Sequence, residues 1–211
     1  MITQDHFLDR HQLPHDQRAT LRKGILSKET AVGICGTNRA ETFIKIMEKF
    51  DMLVPCEVNM DGKEGVAVYL IPCLLQKVAD DQIKPPDKRV PRLHFKFTPA
   101  TLLQSEGFLP PGLFHRLMSC CCRTKKWIHY AELIFYDYME FGADKFGFAL
   151  HMSRNGITVS AFEFEGLLLS RALNAVCKEL QSEIDRIIGQ LFPNLACVTY
   201  VECPCTPLAQ R

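Results

Sequence analysis

Apolar residues along this chain switch between two periods, and the switches divide it into elements. In residues 4–30, Phe7, Leu8, His11, Leu21, Ile25 and Leu26 recur at near-helical spacing with Pro14 interrupting, which predicts one or two short helices. Thr37-Asn38-Arg39-Ala40-Glu41 opens a clearer helix. Thr37 is the expected cap, Glu41 sits early where the helix dipole favours an acid, and Phe43, Ile46, Met47 and Phe50 form the expected buried stripe. Two β-like runs follow, MLVPCEV (52–58) and VAVYLIPCLL (66–75). The polar, glycine-containing loop 59–65 between them predicts a hairpin. Helices followed by a two-stranded hairpin is the order of a winged helix.

Residues 79–92, ADDQIKPPDKRVPR, are polar, carry three prolines and read as a linker. LHFKF (93–97) alternates as a strand does. Pro110-Pro111 then reads as a helix start, since proline is tolerated in a first turn whose N–H groups lack helical partners. Leu113, Phe114, Leu117, Met118 and Cys121 share one face of that helix; His115, Arg116, Ser119, Cys122 and Arg123 fall off it. Residues 127–141 suit one strand or two. Phe146, Phe148, Leu150 and Met152 alternate, as do Ile157, Val159 and Ala161, and Asn155-Gly156 between them predicts a type I′ turn that sets Met152 against Val159 and Leu150 against Ala161. Residues 167–191 read as the longest helix, buried through Leu173, Val176, Cys177, Leu180, Ile184, Ile187, Ile188 and Leu191, and ACVTYVE as a last strand. The expected architecture is α+β: a winged-helix-like unit over 1–78, a linker over 79–92, and over 93–211 a mostly antiparallel sheet with two packed helices.

Composition narrows the chemistry. The chain has 211 residues, 47% hydrophobic and 23% charged, an ordinary globular balance. A net charge of +1 gives no reason to expect a polyanionic partner. Ten cysteines in a secreted protein would come with a signal peptide and a disulfide framework, but MITQDHFLDRHQLPHDQR has no apolar core and no run is long enough to span a bilayer. The expectation is a cytoplasmic protein with mostly reduced thiols. Cys73, Cys177 and Cys197 lie in apolar company and read as core residues. Cys120-Cys121-Cys122 and Cys203-Pro204-Cys205 lack the paired spacing of a structural zinc site.

The chain contains no phosphate-binding loop, dinucleotide fingerprint, Gly-x-Ser-x-Gly or His-Glu-x-x-His. His6, His11 and His15 lie in a polar segment and read as solvated. His115 and His129 stand near the triple cysteine without an evident acid to complete a thiol site. In the helix after Thr37, Arg39, Lys45 and Lys49 are offset by Glu41, Glu48 and Asp51, so the phosphate-binding term of a nucleic-acid reader would be small. No catalytic residue, cofactor or metal site is expected, and a winged-helix nucleic-acid-binding protein is the alternative.

FIKIMEKFDMLVP, VYLIPCLL, GFLPPGLFHRLM, the Trp127 strand and IDRIIGQLFPNL follow one another in an order that resembles the COR region of Roco proteins, the segment C-terminal to their Ras-like Roc GTPase domain. The resemblance runs from about residue 20 to about residue 200. Its most specific element is Phe-Leu-Pro-x-Gly-Leu-Phe-x-Arg-Leu at 108–117, supported by Tyr-x-x-Pro-x-Leu-Leu at 69–75; the Arg-x-Gly that many members carry after the tryptophan is replaced by Ile128-His129-Tyr130. It implies a COR-A-like first half and a COR-B-like second half, a non-catalytic module that dimerises and couples a GTPase to neighbouring signalling domains. It also implies a Roc-type GTPase partner, in cis upstream or in trans. The expected contact surface is the basic and aromatic end of the proline-led helix: Arg116, Arg123, Lys125, Lys126 and Trp127.

Overall fold

A computed structural model describes residues 13–50, 52–79, 82–83, 91–101, 107–124, 127–143, 146–162 and 169–202. The fold is α+β, with two antiparallel sheets. The first half runs α1 (His15–Arg22), β1 (Ile25–Leu26), α2 (Lys28–Cys35), α3 (Thr37–Lys49), β2 (Val54–Met60) and β3 (Lys63–Leu70), with strand order β1-β3-β2. The second half runs β4 (Arg92–Pro99), α4 (Leu113–Arg123), β5 (Trp127–Ile128), β6 (Tyr138–Ala143), β7 (Phe146–Ser153), β8 (Gly156–Phe162), α5 (Leu169–Leu191) and β9 (Leu195–Glu202). Its strands order as β5-β6-β7-β8-β4-β9. No helix among the described residues is long and apolar enough to cross a membrane. His6, His11, Cys203 and Cys205 lie outside the described residues.

The β2–β3 hairpin forms, with a tighter turn than the polar segment 59–65 suggested. Asp61 (φ 53°) and Gly62 (φ 73°) take the two left-handed positions of a two-residue turn, and pairing extends to Met60 opposite Lys63. The α3 cap is Gly36 (φ 78°) rather than Thr37, which is already helical. Its core face is also rotated from the expected stripe. Ala40 and Ile44 are buried and Phe43 and Met47 pack beside them, while Ile46 and Phe50 are exposed.

In the β7–β8 hairpin the turn is Arg154-Asn155, so Met152 pairs with Ile157 and Leu150 with Val159, two residues from the expected register. Neither Arg154 nor Asn155 has positive φ. Gly156 serves packing instead: a Cβ there would stand 2.1 Å from the Phe95 carbonyl oxygen of β4. The glycine is spent on a close strand approach, not on a turn. Because side chains repeat every two residues, the two-residue shift leaves the same apolar face inward.

The small sheet is covered on both faces. Leu26, Tyr69 and Ile71 face the α1–α3 trio with Leu21, Ala31, Ala40, Ile44 and Leu53. On the other face Ile25, Val54, Cys56, Val58, Val68 and Leu70 join one continuous core with α4, α5 and the inner face of the large sheet, including Phe95, Phe97, Phe141, Phe148, Leu150 and Val159. α5 contributes Leu173, Val176, Leu180, Ile184, Ile187 and Ile188, with Cys177 half-buried and Leu191 exposed. The predicted linker is tethered at both ends. Arg92 already belongs to β4. Before it, Tyr136 N–H donates to the Gln76 carbonyl (2.7 Å), Val78 N–H donates to Asp137 (2.9 Å), and Val78 and Ile83 cover Tyr138 and Ala149 on the outer face of the large sheet.

A core shared by both halves predicts a single cooperative transition. Leu117→Ala, at a fully buried position of α4, should lower unfolding stability by about 3 kcal/mol. Urea curves followed by Trp127 fluorescence and by helical circular dichroism should stay superimposed; two separated transitions would show that the halves fold apart. Gly156→Ala should cost about 1–3 kcal/mol, because a backbone oxygen occupies the space of the new methyl.

Candidate partner interface around helix α4

Helix α4 begins one step later than its prolines suggest. Pro110 and Pro111 precede it in a turn, and Gly112 is the N-cap with φ 78°. A helix cannot contain that left-handed residue, so the first helical position is Leu113, whose N–H donates to the Pro110 carbonyl (3.2 Å). The entering chain is held by the large sheet: Phe108 N–H donates to Phe97 and Leu109 N–H to Arg154. Leu113, Phe114, Leu117, Met118, Ser119, Cys121 and Cys122 are buried, so most of this helix is core-facing.

Its C-terminus is satisfied from outside. Thr124 Oγ1 donates to the Cys120 carbonyl (3.1 Å) and His129 Nε2 donates to the Cys121 carbonyl (3.2 Å). The His129 carbonyl in turn accepts from Asn59 N–H of β2 (2.8 Å). One buried histidine thus ties the end of α4 to the first half. Burial pushes its imidazole down to about 4, although the bond to Cys121 opposes the shift. Burial likewise lowers His115, whose Nε2 donates to the Tyr136 carbonyl (3.0 Å).

The three consecutive cysteines point to three different neighbours. Cys120, half-buried, faces α5, where Arg186 Nη2 donates to its sulfur at 3.3 Å. Cys121 is fully packed, and burial holds its thiol protonated well above the usual range. Cys122 faces Cys56 on β2; hydrogen bonding to that thiol and burial hold it protonated as well. All three read as thiols in packing roles, with Cys121 on the predicted inner stripe and Cys122 more buried than its off-stripe position suggested. No group of three or more His, Cys, Asp or Glu among the described residues is placed to hold a metal ion.

Of the three expected contact residues that the structure describes, Arg116 and Arg123 share a helix side and Trp127 does not join them. Trp127 is 6% exposed and stacks on Phe141 (4.5 Å), so it is core and not an exposed aromatic. A strand assignment at 127–128 with one face inward explains this; the sequence shows only that the tryptophan follows a basic run. Arg123 is exposed and donates to Ser119 Oγ at 2.7 Å. Arg116 stands two helical turns before Arg123 on the same side of the helix, lining a cleft of about 350 Å³ with Phe50, Met52, Cys73, His115, Tyr136 and Ser119, the residue that Arg123 bonds. Lys125 and Lys126 lie outside the described residues.

That cleft contains what sequence reading missed. Phe50 is 66% exposed, and Met52 and Ile46 are also exposed, forming an apolar group at the exit of α3. An amphipathic pattern that overshoots its core by two residues was the available signal. A second unforeseen feature lies on the outer face of the large sheet. Thr158 Oγ1 and His94 Nδ1 are 3.0 Å apart, and His94 Nε2 and Glu202 are 3.1 Å apart, beside a cavity of about 270 Å³. Hydroxyl, imidazole and carboxylate in that order resemble a general-base relay. Strand register alone accounts for the grouping, since His94 stands directly opposite both Thr158 and Tyr200, and Tyr200 stacks on its ring.

No protein-family model matches the chain, and comparison with curated proteins finds no significant match.

His129 makes stability depend on pH. Its folded value lies below the ordinary 6.5, so the unfolded chain binds the extra proton. Stability is full above about pH 6.5 and is lost as pH falls toward 4, by on the order of 3 kcal/mol. His129→Gln, which keeps an N–H donor and removes the titration, should flatten the difference in urea midpoint between pH 7.5 and pH 5. An unchanged slope would assign the acid sensitivity elsewhere.

Proposed function

We propose that this chain is a cytoplasmic, non-catalytic dimerisation and scaffold module of the kind the COR region of Roco proteins forms, coupling a Roc-type GTPase domain to neighbouring signalling domains. One observation carries the reading. The motif GFLPPGLFHRLM, its most specific sequence element, builds the helix that packs on both halves at once. A helix in that position can pass a displacement of one half to the other, which is what a coupling module requires. The first half supports the winged-helix-like, COR-A-like part of the proposal through its order α1-β1-α2-α3-β2-β3 and its three-stranded sheet. The exposed group Ile46, Phe50 and Met52, beside Arg116, supplies a contact surface of the apolar-plus-arginine type common at interfaces.

The charges on α3 favour a protein partner over a nucleic acid. Lys45 is paired with Glu41 at 2.8 Å, leaving Arg39 and Lys49 against Glu48 on an exposed helix. Two unbalanced cations at most would give a weak salt dependence.

Sedimentation velocity should show a concentration-dependent dimer, and the purified chain should retain a Roc-type GTPase domain in a pull-down. Phe50→Asp together with Met52→Asp should weaken that capture at least tenfold while leaving the urea midpoint within about 0.5 kcal/mol of wild type, as expected for exposed positions. A chain that neither self-associates nor binds the GTPase domain, and instead shifts a labelled duplex at low salt, would replace this reading with the nucleic-acid one.

A further inference from the structure

We propose that Cys56 and Cys122 form a reversible disulfide that staples the small sheet to helix α4. Cys56 occupies the inward face of β2 between Val54 and Val58, and Cys122 ends the buried face of α4. Strand and helix are packed into one core, so the relative position of the two thiols is set by the neighbours around them. The Cys56 side chain is close enough to Cys122 to bear on its protonation. Both line a cavity of about 330 Å³ that is open to solvent, with Lys28, Glu57, Arg123 and Trp127 also on its wall. Joining them asks two neighbouring sulfurs to close to about 2.05 Å.

The oxidant we assign is hydrogen peroxide, small enough to enter that cavity. The Cys56 thiolate attacks one peroxide oxygen, the O–O bond breaks, and hydroxide leaves, giving Cys56 sulfenic acid. Cys122 then attacks the Cys56 sulfur. The S–O bond breaks and the departing hydroxide takes the Cys122 proton as water. Two thiols and one peroxide become one disulfide and two waters; the protein loses two electrons and the peroxide gains them. Cys122 is assigned the second step because its thiol is held protonated, by Cys56 first and by burial second. The exposed Cys73 meets peroxide more readily, whereas Cys56 reacts with a partner thiol in place.

Such a bond would close a long loop and join the two halves covalently across their shared core. The fold would be stabilised, and the junction between small sheet and α4 would be fixed. The staple is independent of which partner the chain binds.

The test uses the full chain, reduced and then titrated with hydrogen peroxide, blocked by alkylation under denaturing conditions and mapped by mass spectrometry without reduction. The expected product is a cross-linked peptide pair holding Cys56 and Cys122, reversed by dithiothreitol. The melting temperature should rise by about 10 °C. Cys122→Ser should stop oxidation at a dimedone-reactive Cys56, and Cys120→Ser should leave the cross-link intact. A cross-link between Cys121 and Cys122, or only intermolecular products through Cys73 with Cys56 and Cys122 still alkylated, would overturn the proposal.

Discussion

The structure depends on one helix being wedged between two sheets. α4 presents Leu113, Phe114, Leu117, Met118 and Cys121 to a core that includes the six-stranded sheet, α5 and the inner face of β2–β3. Each such side chain contributes about 1.5–3 kcal/mol by leaving water. Without α4 the small sheet would expose Val54, Val58, Val68 and Leu70, and the large sheet would expose Phe95, Phe141 and Phe148. The first half closes one core of its own against α1–α3, but the other face of its sheet closes only together with the second half, so the two are not independently packed bodies.

The polar groups around α4 follow from the same burial. Its terminal carbonyls end in an apolar environment and must find donors there. Thr124 and His129 provide them, and His129 also receives Asn59 from β2. A buried imidazole that donates one bond is stable while neutral, so the same burial that orders the helix end makes it acid-sensitive. The exposed features have another origin. Ile46, Phe50 and Met52 are left outside because α3 turns Ala40 and Ile44 inward, allowing close approach to α1 and α2.

Much of the fold was legible in periodicity. The α4 stripe, the long helix and the strand at 93–97 came from spacing alone, because burial on one face imposes a period of 3.6 or 2 whatever the rest of the chain does, and both hairpins came from spacing together with the turn residues between their strands. Local turn chemistry was less reliable. Asn155-Gly156 carried a strong turn signal, yet Gly156 was needed where β4 approaches. Gly112, not the prolines before it, set the start of α4. At Gly156 a contact far away in sequence decided what the glycine was for, and at Gly112 its left-handed backbone did. The site was less legible still: Arg116 and Arg123 share a helix side, one at a cleft and one at solvent, but the strand that follows sends Trp127 into the core.

By itself the sequence determined the α+β class, the alternation of faces and which helix would be mostly buried, since these depend on side-chain period and on the removal of apolar area from water. Tertiary structure alone decided the rest. It brought Cys56 to Cys122, set Phe50 beside Arg116, and aligned Thr158, His94 and Glu202 across three strands. These groupings join residues as much as 108 positions apart. They are fixed by strand register and by how one helix seats on two sheets, and no local spacing in the chain encodes either.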